Sequence, residues 1–228
     1  EEIAYNSCRN RHCPNCQAYA KEKWIEKENA YLLDCPYFHI VTTIPSELNE
    51  IVLYNQEICY NILFKATSES ILELSGDEKW LGAKVGITSI LHTWGQTIEF
   101  HPHIHSIVTG GGMKDSKWIN GRKEYLFKVQ VLSSLFRGKF LGMLKEAELK
   151  FPKCMQHLES KNKFNKFLEP LYKKTWITYI EPPKGKAENV IEYKDYKDEG
   201  KIKLMTISVN EFIRRFLLHV IPDGFTKI

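Results

Sequence analysis

The 228-residue chain lacks any apolar run near 18 residues, and no basic, apolar leader opens it. Neither a membrane span nor a secretory signal is therefore expected. It also lacks a dominant charge: 32 basic and 28 acidic residues leave a net charge of +4. That is weaker than the basic footprint usual for nucleic-acid binders, so charge permits such a partner without arguing for one. A disulfide framework is missing too. Of six cysteines, Cys8, Cys13 and Cys16 crowd the start, while Cys35, Cys59 and Cys154 stand singly among apolar residues. This usage suits a reducing cytoplasm and one metal site rather than a secreted scaffold. There is no internal repeat and no regular βαβ rhythm, which argues against a solenoid and a parallel sheet.

What is present is enough apolar residue, 43%, to bury a full core in one domain with a small appendage. Periodicity predicts a helix over 18–33, closed by Pro36, and a strand from Tyr37 to Ile44, ended by Pro45. A long helix is expected from Leu48 to Leu74, then strands Val85–Gln96 and His101–Val108, the latter closed by Gly110-Gly111-Gly112. Helices follow over Val131–Lys150 and Asn162–Lys174, then a strand from Trp176 to Ile180. After a Pro182-Pro183-Lys-Gly185 linker, a short helix Ala187–Tyr193, a strand Lys201–Ile207 and a helix Val209–Val220 complete the pattern. This order favours an α+β fold with an antiparallel sheet.

Three of eight histidines fall in His101-Pro102-His103-Ile104-His105. Strand side chains two apart share a face, so His103 and His105 can hold one ion while Ile104 enters the core. A hairpin turning at Glu99-Phe100 would set Gln96 opposite His103, its amide carbonyl adding a third ligand. Two imidazoles and one oxygen suit Mg²⁺ or Mn²⁺ acting as a Lewis acid. No Asp or second His follows His105 as in a metallo-β-lactamase, and no barrel pattern suggests an amidohydrolase.

Cys13-Pro-Asn-Cys16 has the spacing of a zinc knuckle, short enough for both thiolates to reach one Zn²⁺. With Cys8 it reads as the C-terminal half of a zinc-binding module over residues 1–17, with its partner half upstream of Glu1. Arg9 and Arg11 flank the loop and can contact phosphates.

Five ordered segments together carry a resemblance. They are Ser7-Cys-Arg-Asn-Arg-His-Cys-Pro-Asn-Cys16-Gln17, Leu91-His-Thr-Trp-Gly-Gln96, His101-Pro-His-Ile-His105, Leu135-Phe-Arg-Gly-Lys-Phe140 and Glu211-Phe-Ile-Arg-Arg-Phe-Leu217. As a set they resemble rolling-circle insertion-sequence transposases of the HUH type with an N-terminal zinc-binding region, relatives of plasmid relaxases and replication initiators.

The resemblance implies an HUH-endonuclease-type antiparallel sheet flanked by helices over residues 18–228. It implies a metal-dependent enzyme that nicks and rejoins single-stranded DNA at transposon ends through a 5′-phosphotyrosine. His103 and His105 would be the metal pair and Gln96 the neighbouring-strand ligand, with Mg²⁺ or Mn²⁺ there and Zn²⁺ at the N-terminal module. DNA would be met by Trp94, Arg137, Lys139, Arg214 and Arg215, in the cytoplasm at the bacterial nucleoid.

Val190-Ile-Glu-Tyr193 resembles the start of the family's two-tyrosine helix, which makes Tyr193 the nucleophile. Lys194-Asp-Tyr196-Lys-Asp198 resembles a later family segment, so a stretch is expected to be absent after Tyr193. The alternatives are a non-cleaving, domesticated DNA-end-binding protein and a plasmid relaxase or replication initiator.

Overall fold

Alternation in Tyr37-Phe-His-Ile-Val-Thr-Thr43 makes a strand, β1 (Tyr37–Thr43), with Phe38, Ile40 and Thr42 buried and His39 and Val41 half-exposed on the opposite face. The computed structural model describes residues 33–94, 99–122, 126–181, 188–195 and 201–208, with Lys23 and Glu26. The chain divides into two units, Cys35–Pro183 and Glu1–Asp34 with Lys184–Ile228.

In the first unit a single 3-10 turn, Ser46–Leu48, leads into α1 (Asn49–Tyr54) and α2 (Gln56–Gly76). The one long helix expected here is interrupted at Asn55, whose φ of −131° and ψ of 41° are not helical. The cause is a side chain with distant partners. Asn55 Nδ2 donates to the Ile51 and Lys150 carbonyls at 2.9 and 3.0 Å, and Oδ1 accepts the Lys150 N–H at 2.6 Å. An asparagine that bonds backbone in this way competes with helix propagation.

Two strands follow, β2 (Lys84–Trp94) and β3 (Phe100–Lys114), then β4 (Lys117–Asn120), which the sequence reading did not anticipate. The triple glycine does not end β3. It lies inside the strand because a Cβ on Gly111 would meet the Ile119 carbonyl at 2.6 Å, and one on Gly112 the Lys84 carbonyl at 2.5 Å. Glycine admits this close approach of neighbouring strands, which any side chain would block.

Helices α3 (Val129–Glu146) and α4 (Lys161–Lys173) precede β5 (Thr178–Glu181). The sheet runs β2-β3-β1-β5, with β4 added on β3, and every pairing is antiparallel. This is the α+β architecture expected.

Helices cover one sheet face. Phe38, Ile40 and Val108 pack with Ile71, Leu74 and Leu132. Ile104 packs with Leu63, Ala66, Phe136, Phe140 and Trp176. Phe136 and Phe140 each stand edge-on to Trp176, with ring centroids 5.6 Å from it. Because strand side chains alternate, His103 and His105, flanking Ile104, are committed to the other face.

In the second unit, β6 (Glu188–Asp195) pairs antiparallel with β7 (Lys201–Ser208). The short helix expected over Ala187–Tyr193 is thus corrected to a strand, with Tyr193 opposite Lys203. β-Branched Val190 and Ile191 disfavour a helix, and β7 supplies a complete ladder partner. Of the helix expected over 18–33, Lys23, Glu26 and Leu33 are described; the first two are helical and Leu33 is not. Cys8, Cys13, Cys16, Arg9, Arg11, Gln96, the 182–185 linker, Arg214, Arg215 and the helix expected over Val209–Val220 lie outside the described residues.

Candidate metal centre

The site is built by β2 and β3. Their ladder sets His92 opposite His103 and Ile90 opposite His105. The expected turn at Glu99-Phe100 is corrected here: Trp94 already pairs with Phe100, so the connection spans 95–99. The register is four residues away from the one that would have put Gln96 across from His103. His92 holds that position.

Ligand atoms of His92, His103 and His105 all lie within 4.8 Å of one another. Three donors around one ion at bond lengths near 2.1 Å are separated by roughly 3 Å, so small ring rotations close the set. The rings are already clustered, with centroids 4.3 Å apart for His92 and His105, 4.9 Å for His103 and His105, and 5.3 Å for His92 and His103.

A shift in register lies next to this cluster. Between the His92–His103 and Trp94–Phe100 pairs, β2 advances two residues and β3 three. His101 and Pro102 therefore face the single Thr93. Proline has no N–H for the ladder, which makes this the natural place for a bulge. The Asn49 side chain anchors the start of β3 by donating to the Phe100 carbonyl at 2.8 Å. Past the bulge, His103 Nδ1–H donates to the His101 carbonyl at 2.6 Å, leaving Nε2 as the lone-pair nitrogen. Burial, the largest influence, lowers the His103 pKa below its usual value, against the raising effect of that hydrogen bond. A neutral imidazole is the form that binds a metal.

His105 is held differently. Its Nδ1 lies 2.8 Å from His39 Nε2 on β1, and the two rings stack at 5.1 Å and 12°. His39 Nδ1 in turn lies 3.6 Å from Glu181 Oε2 on β5.

The other expected site residues separate by face. Trp94, 57% exposed, ends β2 two residues beyond His92 and can offer its ring to a base. Arg137 and Lys139 sit on α3, whose buried residues pack on the Ile104 side of the sheet, away from the histidines. Arg137 Nη1 donates to the Lys174 carbonyl at 2.7 Å. Lys139 is bound to Glu73 at 2.8 Å and Glu69 at 3.7 Å. Sequence reasoning missed His92, His39 and Glu181. The parity of His92 within Leu91-His-Thr-Trp-Gly-Gln96 could have revealed it, since 92 and 96 share a face.

Residues 86–194 and 185–228 match the family described as "Putative transposase". Residues 1–44 match a "Transposase zinc-binding domain". The chain is 39% identical to the "Putative transposase y4qJ" of Sinorhizobium fredii over 259 residues, covering 99% of this chain and 65% of the relative. It is 28% identical to the transposase for insertion sequence element IS801 of Pseudomonas savastanoi pv. phaseolicola, covering 82% of this chain and 45% of that one. It thus spans about half to two thirds of the length of these relatives. The conjugative relaxase TrwC, solved with a 27-mer DNA comprising the recognition hairpin and cleavage site, overlaps with a TM-score of 0.40 at 11% identity, over 57% of this chain and 54% of that one. A metal-free TrwC complex with OriT DNA overlaps equally, with 53% of that chain covered.

Proposed function

The chain belongs to this transposase family, and from that membership we propose that it is the nuclease core of a rolling-circle transposase. In this reading it cuts and rejoins single-stranded DNA at transposon ends. The observation that carries the proposal is the cluster of His92, His103 and His105 on one face of an antiparallel sheet.

These three imidazoles would hold a divalent ion, which when bound supplies Lewis-acid polarisation of the scissile phosphate. An all-nitrogen donor set favours Mn²⁺ over Mg²⁺, which prefers oxygen ligands. Tyr193 is the proposed nucleophile. Its oxygen forms a bond to phosphorus as the bond from phosphorus to the 3′ oxygen breaks. The phenolic proton leaves with that oxygen as a free 3′-hydroxyl. The 5′-phosphotyrosine conserves the phosphodiester energy, so the same hydroxyl group can reverse the step and join strands.

Trp94 would stack a base beside the cluster. Arg9, Arg11, Arg214 and Arg215 would contact phosphates, and Cys8, Cys13 and Cys16 would contribute ligands to Zn²⁺, as the zinc-binding match supports. The proposed compartment is the cytoplasm, at the nucleoid during action. No helix among the described residues is long and apolar enough to cross a membrane.

We also read a family segment as absent after Tyr193. The family match falls into two stretches that meet around 185–194, and the y4qJ match runs over 259 positions against 228 residues here. The placement of Tyr193 on a strand rather than a helix favours a second reading, a protein that binds transposon ends without cutting them.

One experiment separates the two. The full chain is incubated with single-stranded transposon-end DNA and Mn²⁺ and examined for a denaturant-resistant adduct. An adduct lost in Tyr193→Phe and in His103→Ala supports the nuclease. End binding with no adduct supports the binder.

A further inference from the structure

His103 and His105 each have a partner on Nδ1, and the partners differ in kind. For His103 it is a carbonyl of its own strand. For His105 it is another imidazole, His39, backed by the carboxylate of Glu181. We propose that His39 and Glu181 are a positioning pair that holds His105 in the tautomer protonated on Nδ1, with Nε2 left to bind the ion. The inference rests on the three-histidine reading of the site.

Proton counting supports it. At 2.8 Å, His39 Nε2 and His105 Nδ1 cannot both present lone pairs, so one hydrogen lies between them. Glu181 decides which ring owns it. Its Oε2 stands 3.6 Å from His39 Nδ1, and a negative charge at that distance favours a hydrogen on Nδ1. In its neutral form His39 carries only that hydrogen, so its Nε2 is the acceptor and His105 Nδ1–H the donor. The His105 lone pair is then on Nε2.

The sheet holds this arrangement in place. His39 is directly opposite Glu181 in the β1–β5 ladder. In the β1–β3 ladder it is opposite Ile107, and Val41 is opposite His105. His39 thus meets His105 along the diagonal that long and aromatic side chains reach. A carboxylate, a histidine and a ligating histidine therefore lie in sequence across three strands, β5, β1 and β3. Outer partners of this kind fix ring orientation and raise ligand basicity, and losing one costs about 10–100-fold in metal affinity. Both side chains are mostly shielded, at 18% and 20% exposure, so water replaces them poorly.

The test is Mn²⁺ binding by the full chain, followed by loss of the free-ion electron paramagnetic resonance signal, with thermal melting to confirm folding. His39→Phe, which keeps a ring but no acceptor, is expected to weaken Mn²⁺ about 10–100-fold. His39→Gln, whose side-chain oxygen reaches the position of the lost nitrogen, should recover part of that loss. Glu181→Gln should fall between wild type and His39→Phe.

A folded His39→Phe with wild-type affinity overturns the positioning pair and leaves the three-histidine site standing. So does a His39→Gln as weak as His39→Phe, since that marks a packing effect. Absence of Mn²⁺ binding by the wild type overturns the metal site and the pair together.

Discussion

His92 stands directly across the β2–β3 ladder from His103, which converts a two-histidine motif into a three-histidine centre. Its consequence is a sharp contrast between two residues of one segment. His92→Ala should reduce Mn²⁺ affinity by more than the roughly 10–100-fold that losing an outer partner costs, while Gln96→Ala should leave it nearly unchanged. Titration of the two folded variants with Mn²⁺ checks this; equal losses would make Gln96 a ligand alongside His92.

The glycines of β3 make a prediction about stability. A methyl group on Gly112 would stand 2.5 Å from the Lys84 carbonyl, whereas one on Gly138 in α3 would meet nothing within 4 Å. Gly112→Ala should therefore destabilise by about 1–3 kcal/mol, as overpacking does. Gly138→Ala should stabilise by about 0.5–1 kcal/mol, through the removal of glycine from a helix interior. Urea midpoints of the two variants should move in opposite directions.

Thiol chemistry should follow burial. Burial pushes the Cys59 thiol up to about 12, while Cys154 is exposed with its thiol raised by the hydrogen bond to Glu50. At pH 8, iodoacetamide should modify Cys154 slowly and Cys59 only after unfolding. Peptide mapping by mass spectrometry distinguishes the two; modification of Cys59 at the Cys154 rate would contradict the packing around α2.

The metal-free protein should lose stability on mild acidification. Burial depresses the His103 pKa, so below the unfolded value of about 6.5 the unfolded chain binds the proton more readily. The contribution of His103 is complete above that value and is lost as pH falls through the folded one. Denaturation midpoints between pH 7 and pH 5 should therefore decline less in His103→Gln than in wild type. Parallel declines would remove His103 as the source.

Much of the fold was legible locally. Strand β1 is legible from alternation, and α3 and the basic, polar α4 as helical stretches, because short-range pattern sets which faces these elements bury. The break at Asn55 was not legible. Its cause is Lys150, ninety-five positions along the chain. Strand β4 and the continuation of β3 through its glycines depend on which backbones pass close by. Local pattern and resemblance both point to a helix at Tyr193, while its β-branched neighbours and the facing β7 make a strand.

By itself the sequence determined that His103 and His105 share one face of a strand, since the two-residue period of an extended chain is a property of covalent geometry. It also determined the family, through motifs whose order survives without any structure. Only the tertiary structure decided what faces that pair. A four-residue change of register preserves parity, so His92 and Gln96 were equally compatible with the pattern. The bulge at His101-Pro102 and the length of the connection selected His92. The approach of β1 and β5, which no local period encodes, brought His39 and Glu181 behind His105.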